Sequence, residues 1–361
     1  MISSCRETPS LAIWQNAGDT AIVPSEGTAP RPVAAPVSDP SPGPVDLVDL
    51  TVSVVNTNNA ALLRGCLETL FARTKRSMEV YVVDNASTDG SADMVQREFP
   101  AARLLVNAQR KGFSANHNMV AGRARGRFVA LLNEDLLIHD GALDRLVAFL
   151  EARPDVAVVG PQVLNPDGSF QPCAFDSYTI GSVLLDFAVL PSLIPKGRWF
   201  HLDGREKRYE ERDVDWILGA CLVMRREAVQ SVGLLDEQIS PIIYSEEVDW
   251  CYRARQMGWK VAYCPAATLV HYGGQTTRRQ SVRMQLELYR TRFAFFRKHH
   301  GRRSEILLRA GLTSVAALNT VVLSLQLLKG LLLLRPACGL FVQRLSVVWR
   351  VPFLTLPRRS S

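Results

Sequence analysis

The sequence predicts an α/β fold, with a mostly parallel central sheet and helices on both of its faces. From Leu47 to Asn133, short β-branched and aliphatic runs alternate with longer stretches whose apolar residues recur at helical spacing. Strands that alternate with helices of this length pair in parallel through right-handed crossovers. The chain has 361 residues, 47% of them hydrophobic, which is enough to bury a large core.

Four strands and two of the helices between them are predicted in order. The strands fall at residues 52–55, 80–83, 103–106 and 127–132. A helix with apolar positions between Leu62 and Leu70 follows the first strand, and another is predicted at residues 113–124. The loop after the first strand contains no glycine and the chain has no P-loop, so the sequence lacks both glycine-rich phosphate cradles.

The fourth strand ends in an acidic turn made of Asn133, Glu134 and Asp135. Open α/β sheets bind their ligands at this carboxyl edge. Carboxylate and amide oxygens suit a divalent ion such as Mg²⁺ or Mn²⁺, which would neutralise a substrate diphosphate in place of a glycine cradle. The alternative is that Asp135 or Asp140 only caps a helix that begins near Gly141.

Composition divides the chain into three segments. Residues 1–46 are rich in Pro, Ala, Ser and Gly and predict a disordered leader. Residues 47–303 carry the α/β pattern, and residues 304–361 predict a basic, apolar, helical tail. The seven cysteines include no C-x-x-C pair and the N-terminus lacks a signal-peptide pattern, which together favour a reducing compartment.

The C-terminal part of the chain is strongly basic. From Tyr272 onwards, sixteen Lys and Arg face only two acids, Glu287 and Glu305, and residues 310–328 carry no charge. That stretch is just long enough to span a bilayer, but its polar residues favour an in-plane helix. We therefore predict attachment at the cytoplasmic side of the membrane, peripheral or through one weak membrane segment, with arginines on anionic lipid. The alternative is a helical cap packed on the α/β domain.

Several motifs follow one another along the chain in a fixed order. They are VVDNASTDGS at 82–91, KGFSANHN at 111–118, LLNED at 131–135, DWILGAC at 215–221, GLLDE at 233–237, YSEEVDWCYR at 244–253 and HYGG at 271–274. Over roughly residues 50–300, this order resembles family 2 glycosyltransferases of the GT-A fold, and most of all their rhamnosyltransferase-like branch. The resemblance implies inverting transfer of a sugar, with rhamnose as one candidate, from a nucleoside diphosphate sugar to a hydroxyl of a glycan or polyprenyl-linked acceptor in cell-envelope polysaccharide synthesis.

The resemblance also implies roles in donor binding. Nucleotide-sugar binding falls on a set of polar residues at strand ends, in the loops after them and in the predicted helix 113–124: Asn56, Asp84, Asn85, Lys111, Asn116, Asn133 and Glu134. The D-x-D metal motif of the family matches residues 133–135, so its first aspartate is missing here and Asp135 is the expected ligand. His271 matches a further ligand position for Mn²⁺ or Mg²⁺, and its alternative is a structural role.

The catalytic base of the family is the second acid of a pair at the start of a helix, which here matches Glu247 after Glu246. We expect the helix dipole to keep Glu247 ionised at neutral pH, and the alternative is that both acids only complement that dipole. Asp249 is expected to point towards its cap or an arginine such as Arg253. Trp216 is expected either to stack on an acceptor sugar ring or to lie in the core.

Two other classes of protein are weighed beside the enzyme. A catalytically silent nucleotide-sugar-binding protein is conceivable because Asn133 and Glu247 stand where the family has aspartates. A nucleic-acid-binding protein would use the basic tail. Against it, the basic residues are interleaved with aliphatic runs, whereas a groove that follows phosphates uses polar and aromatic residues. We therefore expect no nucleic-acid partner.

Overall fold

The computed structural model describes residues 48–176, 178–188, 207–273, 281–332, 349–354 and 356. The predicted leader, residues 1–46, lies outside the described residues, as does part of the tail. The boundaries predicted at 46 and 303 stay predictions.

The first half of the fold is a parallel sheet. Its strands are β1 (Leu50–Asn56), β2 (Met78–Asp84), β3 (Ala102–Val106) and β4 (Phe128–Asn133). They lie in the order β3-β2-β1-β4, and every neighbouring pair is parallel. The crossovers are α1 (Ala60–Arg73), α2 (Ser91–Glu98) and α3 (Phe113–Ala121). Helix α3 ends three residues earlier than predicted.

Alternation along β2 explains why helices cover both faces of this sheet. Val80 and Val82 belong to the core that α1 and α2 share with the sheet, whereas Tyr81 and Val83 pack against Val120 of α3. Successive strand side chains point to opposite faces, so an uninterrupted apolar strand needs cover on both sides. The predicted architecture is confirmed for this half.

Beyond β4 the sheet is mixed, which the sequence pattern did not predict. Its strands are β5 (Leu136–Ile138), β6 (Val156–Leu164), β11 (Cys221–Arg225) and β12 (Lys260–His271), in the order β4-β11-β6-β12-β5. β11 is antiparallel to β4 and β6, and β12 is parallel to β6 and antiparallel to β5. A late strand is thus inserted beside β4, and the peptide before it reaches the end of β4, where Asn133 N–H donates to the Ala220 carbonyl at 3.0 Å.

The remaining elements surround the second half of the sheet. They are α4 (Ala142–Ala152), β7 (Phe170–Gln171), β8 (Ala174–Phe175), α5 (Ile180–Phe187), β9 (Arg212–Val214), β10 (Trp216–Ile217), α6 (Arg226–Val232), α7 (Glu246–Gln256) and α8 (Ser281–Leu332). A 3₁₀ turn, Val351–Phe353, follows.

Helix α8 is interrupted at Gly301, whose φ of 81° and ψ of 172° are not helical. Arg297 and Arg309 both pair with buried Glu305, so the ion pairs join the two sides of the kink. Beyond the kink, Leu308, Leu312 and Ala316 enter a second core together with α5, and Asn319 Nδ2 donates to the Phe187 carbonyl at 2.9 Å. The described part of the tail is therefore helical, as predicted, and one of its faces is packed on the body.

Candidate active site

The ends of β1 and β2 form the predicted nucleoside side of the site. Asn56 lies opposite Asp84 in the parallel register, and its Nδ2 donates to Asp84 Oδ1 at 3.3 Å. Asp84 Oδ2 accepts the backbone N–H of Ser87 at 2.9 Å. Asn58 and Ala86, in the two following loops, both have a φ of 54°, in the left-handed region that non-glycine residues rarely adopt. Such backbone strain is concentrated at ligand sites in proteins, which agrees with the predicted role of these loops.

A network of amides holds the loop that contains Lys111. Asn85 accepts the Lys111 backbone N–H at 2.8 Å and donates to the Lys111 carbonyl at 3.0 Å. Asn107 Nδ2 donates to Asn116 Oδ1 at 2.6 Å. The side chain of Lys111 is exposed, and its Nζ lies 3.7 Å from the Met119 sulfur. The structure therefore shows Asn85, Asn107 and Asn116 shaping the loop.

The acidic turn after β4 meets the end of β12. His271 pairs with Leu136 across the β5–β12 ladder, so the register places its ring beside Asp135. Asp135 Oδ1 lies 3.2 Å from His271 Nε2, and both residues are buried. Asn133 Nδ2 lies 3.4 Å from the same nitrogen. The two predicted metal ligands are therefore neighbours in space, although 136 positions separate them in the sequence.

Gln171 on β7 orients the His271 ring, with its Oε1 3.0 Å from His271 Nδ1. Assigning the proton to Nδ1 from this contact leaves a lone pair on Nε2 that faces Asp135. The contact between Gln171 and His271 was not predicted from the sequence. The signal available was the turn of residues 165–169 before it, where Gly168 has a φ of 78° and β7 folds back on β6.

Glu134 points away from that pair and accepts a hydrogen bond from Asn59 Nδ2 at 2.7 Å. Burial, followed by the neighbouring charge of Asp135, raises the pKa of Glu134 to about 7. Among the described residues, no group of three or more His, Cys, Asp and Glu side chains is arranged to hold a metal ion. The chain itself therefore offers Asp135 and His271 as a pair.

The alternative reading of the acidic turn as a helix cap is wrong. Helix α4 begins after Gly141, which has a φ of 66°, and no side chain caps it. Asp140 instead pairs with Arg73 at 3.2 Å. Asp135 is turned towards His271 and not towards α4.

The predicted base, Glu247, lies in the first turn of α7 between two other elements. A Cβ built on Gly219 would stand 3.7 Å from the Glu247 carboxyl carbon and 3.8 Å from the Phe113 ring, so both side chains lie close to Gly219. Gly219 directly precedes Ala220, which bonds Asn133. The Glu247 carboxylate therefore lies near the carboxyl end of β4. No donor in the described part of the chain reaches Glu247 Oε2.

The expectation that the helix dipole keeps Glu247 ionised at neutral pH is wrong. Burial, followed by the charge of Glu246, raises the pKa of Glu247 to about 8. The helix dipole stabilises the charged carboxylate by less than it costs to remove that charge from water beside a second acid. Burial raises the pKa of Glu246 as well. A simple dipole complement does not account for two adjacent acids that are both buried.

These raised pKa values have a consequence for stability. The folded protein binds more protons than the unfolded chain, so the contribution of Glu247 to stability is fully present below pH 4.5 and is lost as pH rises through about 8. We expect the midpoint of thermal unfolding to fall over this interval, and Glu247→Gln, which cannot ionise, to reduce the fall. The control is Glu227→Gln, an exposed acid in the first turn of α6. Identical profiles for the wild type and Glu247→Gln would contradict the raised pKa.

The backbone that leads into α7 is strained. Tyr244 and Ser245 have φ values of 88° and 65°, which puts two consecutive non-glycine residues in the left-handed region. Each such residue costs about 1–3 kcal/mol of conformational free energy and persists only where the surrounding structure enforces the conformation. The strain lies immediately before Glu246 and Glu247, where it sets the direction of the first helical turn.

Asp249 is fully buried and points away from Glu247. Its carboxylate binds Arg253 Nε at 2.8 Å, Lys298 Nζ at 2.6 Å and His299 Nε2 at 2.7 Å. Burial opposes ionisation of Asp249, but His299, Arg253 and Lys298 together lower its pKa to about 2. The predicted contact with Arg253 is confirmed. Asp249 is bound by Arg253, Lys298 and His299 and has a lowered pKa, so its carboxylate is not available to take a proton at neutral pH.

Trp216 packs within an aromatic group. Its ring stacks on Phe175, with centroids 4.0 Å apart and an interplanar angle of 12°, and it meets Tyr178 edge-on at 5.9 Å. It contributes to both the main core and the second core. Trp216 is thus partly buried against both cores, and its role towards an acceptor sugar stays a prediction.

A surface cavity of about 570 Å³ lies away from these residues, beside β9 and the end of α7. Its three acids are paired with cations of its own lining, as in Arg255–Asp215 at 2.8 Å and Lys260–Asp213 at 3.4 Å. The cavity includes none of the predicted metal, donor or base residues.

The fold and the site together define a class of protein. An α/β sheet carries acidic and amide side chains on the ends of β1, β2 and β4, and a buried carboxylate is held beside that edge, which is the arrangement of a GT-A glycosyltransferase. The chain belongs to glycosyl transferase family 2, whose model matches residues 51–233. The protein is a glycosyltransferase, as the sequence predicted. Helix α7, with Glu247, lies beyond the matched residues.

Individual relatives are similar over most of the chain. An N-acetylglucosaminyl-diphospho-decaprenol L-rhamnosyltransferase of Mycobacterium tuberculosis is 29% identical over 266 residues, covering 70% of this chain and 85% of the relative. A low-salt glycan biosynthesis hexosyltransferase of Haloferax volcanii is 23% identical, covering 68% and 75%. A mannosyltransferase from Pyrobaculum calidifontis, solved with GDP-Man and Mn²⁺, is 18% identical with a TM-score of 0.49, covering 86% of this chain and 88% of that one.

Proposed function

We propose that the protein transfers a sugar, with L-rhamnose the first candidate, from a nucleoside diphosphate sugar to a hydroxyl of a glycan carried on a polyprenyl diphosphate, with inversion at the anomeric carbon. The observation that carries this proposal is the buried carboxylate of Glu247 beside the β4 edge, where Asp135 and His271 are paired. The name of the Mycobacterium tuberculosis relative supports the sugar and the acceptor class, and the proposal assigns the reaction to cell-envelope polysaccharide synthesis.

The chemistry requires one base. The acceptor oxygen attacks the anomeric carbon as the bond from that carbon to the diphosphate breaks, and the hydroxyl proton passes to Glu247. An alcohol has a pKa far above 7, so a carboxylate within hydrogen-bond reach lowers the barrier to its attack. The pKa of about 8 makes Glu247 a better proton acceptor than an ordinary glutamate once it is ionised.

The ligand atoms at the carboxyl end of β4 fit a divalent metal ion. Asp135 Oδ1 and His271 Nε2 face each other at 3.2 Å with Nδ1 of the imidazole committed to Gln171, so two lone pairs converge on one point. Carboxylate and neutral imidazole together suit Mn²⁺ better than Mg²⁺. When bound there, the ion would neutralise charge on the leaving diphosphate. Asn133, in place of the first aspartate of the family motif, contributes no charge.

A donor panel tests the proposal. Nucleoside diphosphates and their sugars are screened by thermal shift with and without Mn²⁺, and the stabilising sugars are then assayed for transfer to N-acetylglucosaminyl-diphospho-polyprenol. We expect one nucleotide sugar to stabilise the protein and to be transferred. The same incubation without acceptor is the control for hydrolysis. Stabilisation without transfer or hydrolysis would instead indicate a silent nucleotide-sugar-binding protein.

We further propose that helix α8 attaches the enzyme in plane to the anionic cytoplasmic leaflet. By length and composition, the described part of the chain has one helix able to cross a membrane, Val282–Leu325. Beyond the kink, its buried positions include Leu308 and Leu312, while the opposite face is exposed and largely apolar, at Ile306, Leu307, Leu318, Val321 and Leu325. A helix packed on the body along one face suits the membrane surface better than a span.

Basic residues flank that exposed face. Arg302 and Arg303 are exposed at the kink, as is Arg350 near the 3₁₀ turn. Anionic headgroups attract such residues while the apolar face enters the acyl boundary. Truncation after residue 303 would remove Leu308 and Leu312 from the second core, so surface substitutions are the cleaner test of this attachment.

The triple variant Leu318→Ser, Val321→Ser and Leu325→Ser is expected to bind anionic vesicles at least about tenfold more weakly, because each large apolar side chain contributes roughly 1.5–3 kcal/mol when fully buried. High salt should weaken binding of the wild type only in part, since it screens the arginines and leaves apolar insertion. Met257→Ser is the control, because Met257 is 55% exposed and Val321 57%. Equal sedimentation of the triple variant and the wild type would contradict this attachment.

A further inference from the structure

Helix α8 contacts the catalytic helix α7 at two points that flank Glu247 in the chain. Ser245, two residues before Glu247, meets Thr291 of α8. Asp249, two residues after it, meets Lys298 and His299 of the same helix. The first turn of α7 is therefore held on both sides by one neighbouring element.

The first contact is a chain of hydroxyl groups whose direction can be assigned. Thr291 Oγ1 donates to the Leu288 carbonyl at 2.9 Å and lies 3.0 Å from Ser245 Oγ. Because the Thr291 proton is already committed, Ser245 donates to Thr291 and accepts from the Tyr178 hydroxyl at 3.3 Å. All three hydroxyl groups are thereby satisfied, and Ser245 is held in its left-handed conformation.

The second contact is ionic and aromatic. Asp249 accepts from Lys298 Nζ at 2.6 Å and from His299 Nε2 at 2.7 Å, and the His299 ring lies against Tyr252 with centroids 4.4 Å apart. Lys298 also binds Asp236 at 2.7 Å, so it is itself held in place. Because the Asp249 carboxylate is fully buried, these contacts resist rotation of α7 about its axis.

We propose that Thr291, Lys298 and His299 are positioning residues for the transfer reaction: they hold the first turn of α7 so that the Glu247 carboxylate faces the acceptor hydroxyl. This inference rests on the proposed role of Glu247 as the base. The residues expected to bind the donor lie on β1, β2, β4 and α3 and in the loops after β2, β3 and β4, so loss of either contact with α8 acts on the chemical step and leaves donor binding intact. Displacements of about 1 Å in a catalytic group reduce rates by up to about 10²-fold.

The test uses a pair of substitutions at Thr291. Thr291→Val keeps the shape and removes the hydroxyl, whereas Thr291→Ser keeps the hydroxyl. Thr291→Val is expected to lower kcat by about tenfold or more without changing KM for the donor. Thr291→Ser is expected to restore most of kcat, a rescue that a purely structural role in packing would not produce. Wild-type kcat in Thr291→Val, or a donor KM that changes as much as kcat, would overturn the inference.

Two further variants complete the experiment. Thr313→Val is the matched control, because Thr313 lies on the same helix and its hydroxyl donates to the Arg309 carbonyl of that helix, at 2.9 Å. His299→Gln tests the second contact between α7 and α8 independently, and it is the fallback if Thr291→Val does not fold. This variant too should have a lower kcat at an unchanged KM for the donor. If Glu247→Gln is fully active, the proposed base is wrong. If Glu247→Gln is inactive while Thr291→Val and His299→Gln behave as wild type, only the positioning inference is wrong.

Discussion

Replacing Glu247 with Gln is expected to lower kcat by about 10²–10⁴-fold, since that is the usual contribution of a general base. Gln keeps the size of the side chain and cannot accept the acceptor proton. Donor affinity should change little, because Glu247 lies on α7 and the donor residues lie at the strand ends. Steady-state kinetics with varied donor and acceptor measures both quantities.

The pH dependence of the wild type provides a second measurement of the same group. Glu247 must be ionised to act as the base, so kcat/KM should rise with pH through about 8, the raised pKa of the free enzyme. Glu247→Asp should retain partial activity on a backbone arranged for the longer side chain. The control is Glu227→Gln, which removes an exposed acid from the first turn of another helix. Loss of turnover in folded Asp249→Asn, with Glu247→Gln nearly silent, would show that the base has been assigned to the wrong carboxylate.

Chelation of divalent ions is expected to abolish transfer, and Mn²⁺ or Mg²⁺ to restore it. Asp135→Ala should remove the restoration, because it deletes the only charged oxygen ligand that faces His271 in the described structure. Thermal shift with Mn²⁺ and nucleoside diphosphate gives a readout that does not depend on turnover. Full activity in chelator would take the metal out of the mechanism and leave basic side chains to neutralise the diphosphate.

Gln171→Leu extends this prediction to the residue that orients His271. Partners of ligating imidazoles typically contribute 10–100-fold to metal affinity, so the Mn²⁺ concentration for half-maximal activity should rise by about that factor. Gln230→Leu is the matched control, since it makes the same substitution at an exposed glutamine of α6. Unchanged metal affinity in Gln171→Leu would argue against His271 as a ligand.

Local sequence determined the first half of the fold. Between β1 and β4, each strand is an apolar run next in the chain to an amphipathic helix, so pattern and chain order carry the pairing. The same locality made Asp135 a candidate metal ligand, because it follows a buried strand directly. Residues 133–135 and 244–253 also match family motifs, which made Glu247 identifiable without any structure.

What only the tertiary structure decided depends on contacts between distant segments. The insertion of β11 between β4 and β6 brings Gly219 and Ala220 to the carboxyl end of β4, where the metal site is proposed. No local pattern in the sequence specifies that pairing. Gln171 reaches His271 across 100 positions. Both contacts result from pairing between strands that are far apart in the sequence. The spacing of apolar residues within a short segment does not indicate which distant strands will pair.

The electrostatics of α7 was decided in the same way. A helix N-terminus predicts an ionised Glu247, but burial against Gly219 and Phe113 beside Glu246 outweighs the dipole and raises the pKa to about 8. Asp249 has the same local setting and a pKa lowered to about 2, because α8 brings Lys298 and His299 to it. Sequence alone determined which carboxylates stand at the start of this helix. Their protonation depends on which groups the folded chain packs around each one, so the tertiary structure decided it.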